Sequence, residues 1–113
     1  MSDVKDWIDS VVKDNDVVLF MKGTKEQPMC GFSGRVAQIL GYMEVPYQDV
    51  NVLASDALRE GIKEYSDWPT IPQLYIKGEF VGGCDIVTEM FQNGELAKTL
   101  EEKGIPHTPR SAS

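Results

Sequence analysis

Cysteine and histidine are scarce in this chain of 113 residues: there are two cysteines, Cys30 and Cys84, and one histidine, His107. Two thiols are too few for a disulfide framework, so the pattern is not that of a small secreted scaffold. A closed zinc site takes four ligands, and these three residues do not supply them within one chain. Long apolar runs are missing as well. No stretch approaches the roughly 20 residues that cross a bilayer, and the first residues lack the charged-then-apolar order of a signal peptide. Positive charge is in deficit, with 11 Lys and Arg against 18 Asp and Glu; the net charge of −7 argues against nucleic acid as a partner. No repeat or low-complexity tract is visible. What remains is one soluble domain, with 42% hydrophobic residues for its core, expected in a reducing, cytoplasmic compartment with neither membrane nor nucleic acid as partner.

Apolar spacing supplies the elements. Val4, Trp7, Ile8, Val11 and Val12 recur at helical intervals and predict a first helix with these residues inward, capped by Ser2 or Asp3. DVVLFMKG, from Asp16, is a short apolar run of the kind buried on both faces of a sheet. After the loop GTKEQPM, the positions of Phe32, Val36, Ile39, Leu40 and Met43 predict a helix from Gly31. PYQDVNV reads as a second strand, and Ser55 caps a helix with Leu58, Ile62 and Tyr65 inward. The two prolines of DWPTIP exclude helix there. QLYIKGEFVGG reads as two strands about a Lys77-Gly78 turn. Asp85 opens a helical stretch through Phe91, Asn93-Gly94 breaks it, and Glu95 to Lys103 forms a last helix ending at Gly104. Trp7, Met21, Met43, Met90 and Phe91 read as core. Asp3, Asp6, Asp9, Glu101 and Glu102 read as solvated faces. The polar residues 105–113 are expected to be a loose tail on a domain of residues 1–104.

The order α-β-α-β-α-β-β-α-α implies a parallel strand pair followed by an antiparallel hairpin. Helices should cover both faces of a small mixed sheet. In such sheets ligands gather outside the carboxyl ends of the parallel strands. Lys22 and Cys30 both fall at the end of the first strand.

The stretch QPMCGFSGRV contains half of a redox motif. Where C-x-x-C would place a second thiol, Ser33 stands. Cys30 sits at a helix start, where free N–H groups and the positive dipole end favour a thiolate, and Lys22 adds positive charge. With no resolving partner at position 33, that thiolate stays available as a nucleophile or metal ligand. The competing reading is a small buried apolar side chain. Cys84, after Gly82-Gly83, reads as structural when taken alone. An iron–sulfur cluster usually takes four thiolates. One chain does not offer them, but two Cys30 thiolates plus two thiols from a small molecule would.

With PMCGFSGRV, WPTIPQLY and VGGCDIV in this order, the chain resembles a monothiol glutaredoxin of the single-domain C-G-F-S type. The resemblance implies a thioredoxin-like α/β fold, and it implies glutathione as ligand. Lys22 and Arg59 would then meet the glycyl carboxylate, although each alone reads as a surface charge. Ile71, held extended before Pro72, would pair with the cysteinyl part, and the resemblance implies a cis bond at Pro72. Gly83, Cys84 and Asp85 would take the γ-glutamyl end, its carboxylate on backbone N–H groups and its ammonium on the Asp85 side chain; a plain N-cap is the other reading of Asp85. Trp68 either walls the site or anchors the WPTIP loop, with anchoring preferred. Phe32 either shields the site or packs in the core.

Three functions follow from the resemblance. The favoured one is an iron–sulfur carrier: two chains bridge a [2Fe–2S] cluster through both Cys30 thiolates and two glutathiones, and pass it to apo iron–sulfur proteins. The second is a weak glutathione-dependent oxidoreductase acting through Cys30. The third is a regulatory module in which a BolA-like protein replaces one copy.

Overall fold

The computed structural model describes residues 2–108. Ten elements follow one another: α1 (Ser2–Asp14), β1 (Val17–Met21), α2 (Gly31–Tyr42), β2 (Gln48–Asn51), a short 3-10 turn (Val52–Ala54), α3 (Asp56–Ser66), β3 (Gln73–Ile76), β4 (Glu79–Gly82), α4 (Cys84–Asn93) and α5 (Glu95–Glu102). The sheet order is β2-β1-β3-β4. β1 runs parallel to β2 and antiparallel to β3, and β3 and β4 form the hairpin. Lys77 and Gly78 both have positive φ (52° and 81°), as the tight turn of a twisted two-residue hairpin requires.

β1 is buried along its whole length, and its alternation divides the core in two. Val17, Leu19 and Met21 join Val36, Leu40, Val87, Leu96 and Leu100 on the face covered by α2, α4 and α5. Val18 and Phe20 join Ile8, Val12, Leu58 and Ile62 on the face covered by α1 and α3. Each such fully buried aliphatic side chain contributes about 1.5–3 kcal/mol by its removal from water. β1 is thereby fixed in the middle of the molecule, and its carboxyl end becomes a rigid base for whatever follows.

Three expectations are corrected. Trp7 is not core: it is 48% exposed, while its neighbour Ile8 is fully buried. The two are 100° apart on the helix, and only Ile8 points at the sheet. Asp3 does not cap α1 but lies in its first turn, where its charge still suits the helix end; capping by Ser2 lies outside the described side chains. The chain does not loosen at Gly104. Ile105 is 3% exposed and belongs to the core, and the Thr108 N–H donates to the Met43 carbonyl at 2.6 Å. The rest of the expected tail, residues 109–113, lies outside the described residues.

Candidate functional site

Parallel strands β1 and β2 end side by side, with Met21 opposite Asn51. The chain then turns back on itself. Gly23 bridges to Pro28, and the Met29 N–H donates to the Lys22 carbonyl at 2.9 Å. This return places Cys30 as the N-cap of α2, with extended backbone and no side-chain cap bond. Its thiol is free and half-buried. The Cys30 pKa is held below its ordinary value, chiefly by a hydrogen bond from the Ser33 backbone N–H. Partial burial opposes this; the Phe32 N–H, the Lys22 charge and the Ser33 hydroxyl reinforce it. Ser33 itself is fully buried, and its Oγ accepts the Lys22 N–H at 3.0 Å.

A groove runs beside the thiol. Phe32, Trp68, Thr70, Ile71 and Pro72 form one side, and Gly83, Cys84, Asp85 and Ile86 the other. The Ile71–Pro72 bond is cis. Phe32, Cys84 and Asp85 are shared with an adjoining pocket that also takes in Cys30, Arg35 and Thr88, so the thiol opens onto the groove's end. Gly83 is needed where the two sides meet, because a Cβ there would lie 3.1 Å from the Pro72 carbonyl oxygen. Gly83 is also the N-cap of α4, and no side chain caps that helix. The first-turn N–H groups at Cys84 and Asp85 are therefore left for an anionic ligand. No hydrogen bond among the described residues occupies the backbone of Ile71, whose side chain is buried.

Comparison with known proteins decides what such a groove belongs to. The family model described as Glutaredoxin matches residues 17–81. A probable monothiol glutaredoxin 2 of Rickettsia typhi is 60% identical over 97 residues, covering 86% of this chain and 87% of its own. The chain belongs to the glutaredoxin family, in its monothiol branch. The solution structure of a monomeric truncated mutant of Trypanosoma brucei 1-C-Grx1 superposes with a TM-score of 0.85 at 50% identity, covering 91% of this chain and 94% of that one. A buckwheat glutaredoxin–glutathione complex superposes with a TM-score of 0.79 at 27% identity, covering 89% and 90%.

In this monothiol glutaredoxin, Ile71, Pro72, Gly83, Cys84 and Asp85 come together in one groove, and Cys30 adjoins it. Lys22 and Arg59 line neither pocket. Lys22 is close enough for its charge to act on Cys30. Arg59, in the first turn of α3, reaches only the exposed Asp56 at 3.4 Å, and its buried Nε has no partner among the described residues. Trp68 does both things: it walls the groove, and it anchors its loop, with its ring on Phe80 at a centroid distance of 5.8 Å and its carbonyl accepting the Gln73 side-chain amide at 3.2 Å. Phe32, 64% exposed, is site and not core. Cys84 is free, with its sulfur 3.9 Å from the Thr88 Oγ1. Arg35, Thr70 and Thr88 were not singled out from the sequence. Arg35 had a usable signal: it stands four residues after Gly31, one helical turn above the thiol. Thr70 and Thr88 had none.

Proposed function

We propose that this monothiol glutaredoxin binds glutathione along the groove and that two copies carry a [2Fe–2S] cluster, held by both Cys30 thiolates and two glutathione thiols, for transfer to apo iron–sulfur proteins. The observation that carries this reading is the junction at Cys30: a half-buried thiol with a depressed pKa, at the end of a groove whose far wall is an uncapped helix start. The donor set fits. Among the described residues no group of three or more His, Cys, Asp and Glu is placed to hold a metal ion, so a cluster bound through Cys30 takes its other ligands from outside the chain. Thiolate is the donor such clusters take, and external thiols exchange, which suits a cargo.

The groove offers each part of glutathione a partner. The uncapped N–H groups of Cys84 and Asp85 suit the γ-glutamyl carboxylate, and the Asp85 carboxylate suits the ammonium. The unoccupied backbone of Ile71 suits the cysteinyl peptide, bonded as in a strand. Lys22, and Arg59 with its unpartnered Nε, suit the glycyl carboxylate. The glutathione complex of the buckwheat relative supports the same ligand here. Action in a reducing, cytoplasmic compartment keeps Cys30 available, and a BolA-like protein in place of one copy uses the same half-site.

The depressed Cys30 pKa also favours a second reading, as a thiol–disulfide oxidoreductase. The Cys30 thiolate attacks the glutathionyl sulfur of a mixed disulfide and releases the other protein's thiolate. A second glutathione thiolate then attacks the Cys30–glutathione disulfide, forming glutathione disulfide and restoring Cys30.

Anaerobic reconstitution with iron and sulfide, with and without glutathione, tests the carrier reading. The expected result is visible absorbance together with a doubled mass by size-exclusion chromatography, only when glutathione is present. A coloured monomer formed without any small thiol would overturn it.

A further inference from the structure

Ser33 is more than a missing thiol. Its hydroxyl is fully buried, one turn into α2, and it accepts the Lys22 N–H at 3.0 Å across 11 residues of chain. The Lys22 backbone is held from two further directions. Its carbonyl accepts the Met29 N–H at 2.9 Å. The next amide, Gly23 N–H, donates to the Asn51 Oδ1 at 2.9 Å, and the same oxygen accepts the Leu53 N–H at 2.9 Å. The turn has no slack, because Gly23 has φ of +94° and a Cβ there would lie 2.5 Å from the Met29 nitrogen. Three elements, α2, the loop before Cys30 and the end of β2, therefore converge on the two peptide units that flank the Lys22 Cα. The residue in that vice is the cation whose charge helps to hold the Cys30 thiol below its ordinary pKa.

We propose that Ser33 is a positioning residue for glutathione: by accepting the Lys22 N–H, its hydroxyl fixes the lysine where its ammonium meets the glycyl carboxylate. The inference rests on the proposed role of Lys22 in glutathione binding. Its physical basis is preorganisation. A lysine stem loses much rotamer freedom on forming an ion pair, and a fixed backbone origin limits what else must be ordered. A thiol at position 33 serves less well, since sulfur is a weak acceptor. Alanine leaves the Lys22 N–H with no acceptor in a part-buried place.

The test uses S-methylglutathione, which has no reactive thiol, and its counterpart with the glycine carboxylate converted to a carboxamide. Both are titrated by calorimetry into wild type, Lys22→Ala, Ser33→Ala and the double variant. Lys22→Ala should bring the acid down to the affinity of the carboxamide. Ser33→Ala should weaken the acid about fivefold, equivalent to about 1 kcal/mol, and leave carboxamide binding unchanged. The double variant should be no weaker than Lys22→Ala. The Lys22 amide should also exchange faster with solvent in Ser33→Ala. Ser33→Cys, kept reduced, should show the same pattern with a smaller loss, and stands in if Ser33→Ala does not fold. Equal losses for both ligands, or losses that multiply in the double variant, would make Ser33 an ordinary structural residue. If Lys22→Ala binds the acid as wild type does, the role of Lys22 itself is wrong and the inference falls with it; a Lys22→Ala loss without a Ser33→Ala loss sinks the inference alone.

Discussion

Replacing Gly83 with alanine tests the groove by steric means alone. The φ of Gly83 is −99°, a value open to any residue, so the substitution brings no backbone strain. What it adds is a methyl group 3.1 Å from the Pro72 carbonyl oxygen and 3.6 Å from the Trp68 Nε1. The first contact is short by a few tenths of an ångström, and its partner is backbone, which does not rotate away. Overpacking costs about 1–3 kcal/mol in well-packed sites. One atom pair at an exposed groove belongs at the low end, so about 1 kcal/mol is expected, or roughly 4 °C in Tm for a domain of this size. The effect on ligand should be larger. Moving the Pro72 side away from α4 means that glutathione no longer reaches both the Ile71 backbone and the first-turn N–H groups of α4 in full. Loss of one such hydrogen bond corresponds to a fall in affinity of about five- to tenfold. Differential scanning calorimetry and titration with S-methylglutathione read the two effects. Gly41→Ala, in α2, is the control: its Cβ meets nothing within 4 Å, and it should stabilise by about 0.5–1 kcal/mol. Unchanged Tm and unchanged affinity in Gly83→Ala would refute the close approach of loop and helix. A lowered Tm with unchanged affinity would show that the ligand does not bridge them.

Alkylation of Cys30 by iodoacetamide should rise with pH around a midpoint below the ordinary thiol value, since the folded-state pKa is lowered first by the Ser33 N–H; a midpoint at or above the ordinary value contradicts the site. The sign for stability follows: the thiolate's contribution is present above the unfolded-state pKa and is lost as pH falls through the folded one. Tyr65 and Tyr75 are pushed up to about 12, mainly by burial, with the Asp9 hydrogen bond adding to Tyr65. Absorbance at the tyrosinate band should therefore show these two tyrosines ionising late, and the stability they contribute should be intact below the ordinary tyrosine pKa and lost as pH rises through about 12. Ile105→Ala should cost about 2–5 kcal/mol in urea denaturation, as for other buried aliphatic truncations; a loss under 0.5 kcal/mol would return residue 105 to a loose tail.

The scaffold was legible because periodicity and turn chemistry agreed. The run Val17–Met21 is apolar throughout and proves buried throughout. Ser55 caps α3 by accepting the Leu58 N–H at 3.2 Å, and Lys77-Gly78 makes the hairpin turn. Individual aromatic residues were not legible. Trp7 and Phe32 both fall at apolar helical spacing, yet Trp7 sits at the edge of the buried arc of α1 and Phe32 stands in the first turn of α2, beside the groove; spacing says neither how wide a buried arc is nor where along the helix its cover ends. The groove-lining role of Trp68 was not legible for a related reason: its position depends on Phe80, 12 residues on in the neighbouring hairpin. Within the site, Cys30, Ile71, Gly83 and Asp85 stood out through local motifs. Ser33 stood out only as the place of a missing thiol and Asn51 not at all, because their part is to accept backbone N–H groups 11 and 28 residues away in sequence. Such pairings depend on the fold and leave no local pattern. Ile105 was lost to the polar composition around it, although it fills the end of the α2–α5 face of the core.

The central claim is that Cys30 is the one protein ligand each chain gives to the cluster. Its most direct test is anaerobic reconstitution with glutathione of Cys30→Ser beside Cys84→Ser, followed by visible spectra and analytical ultracentrifugation. A serine hydroxyl is scarcely ionised at neutral pH and does not replace a thiolate, so Cys30→Ser should give a colourless monomer, while Cys84→Ser should keep the coloured dimer with at most a modest loss of yield. A coloured dimer from Cys30→Ser, or a colourless Cys84→Ser, would contradict the account.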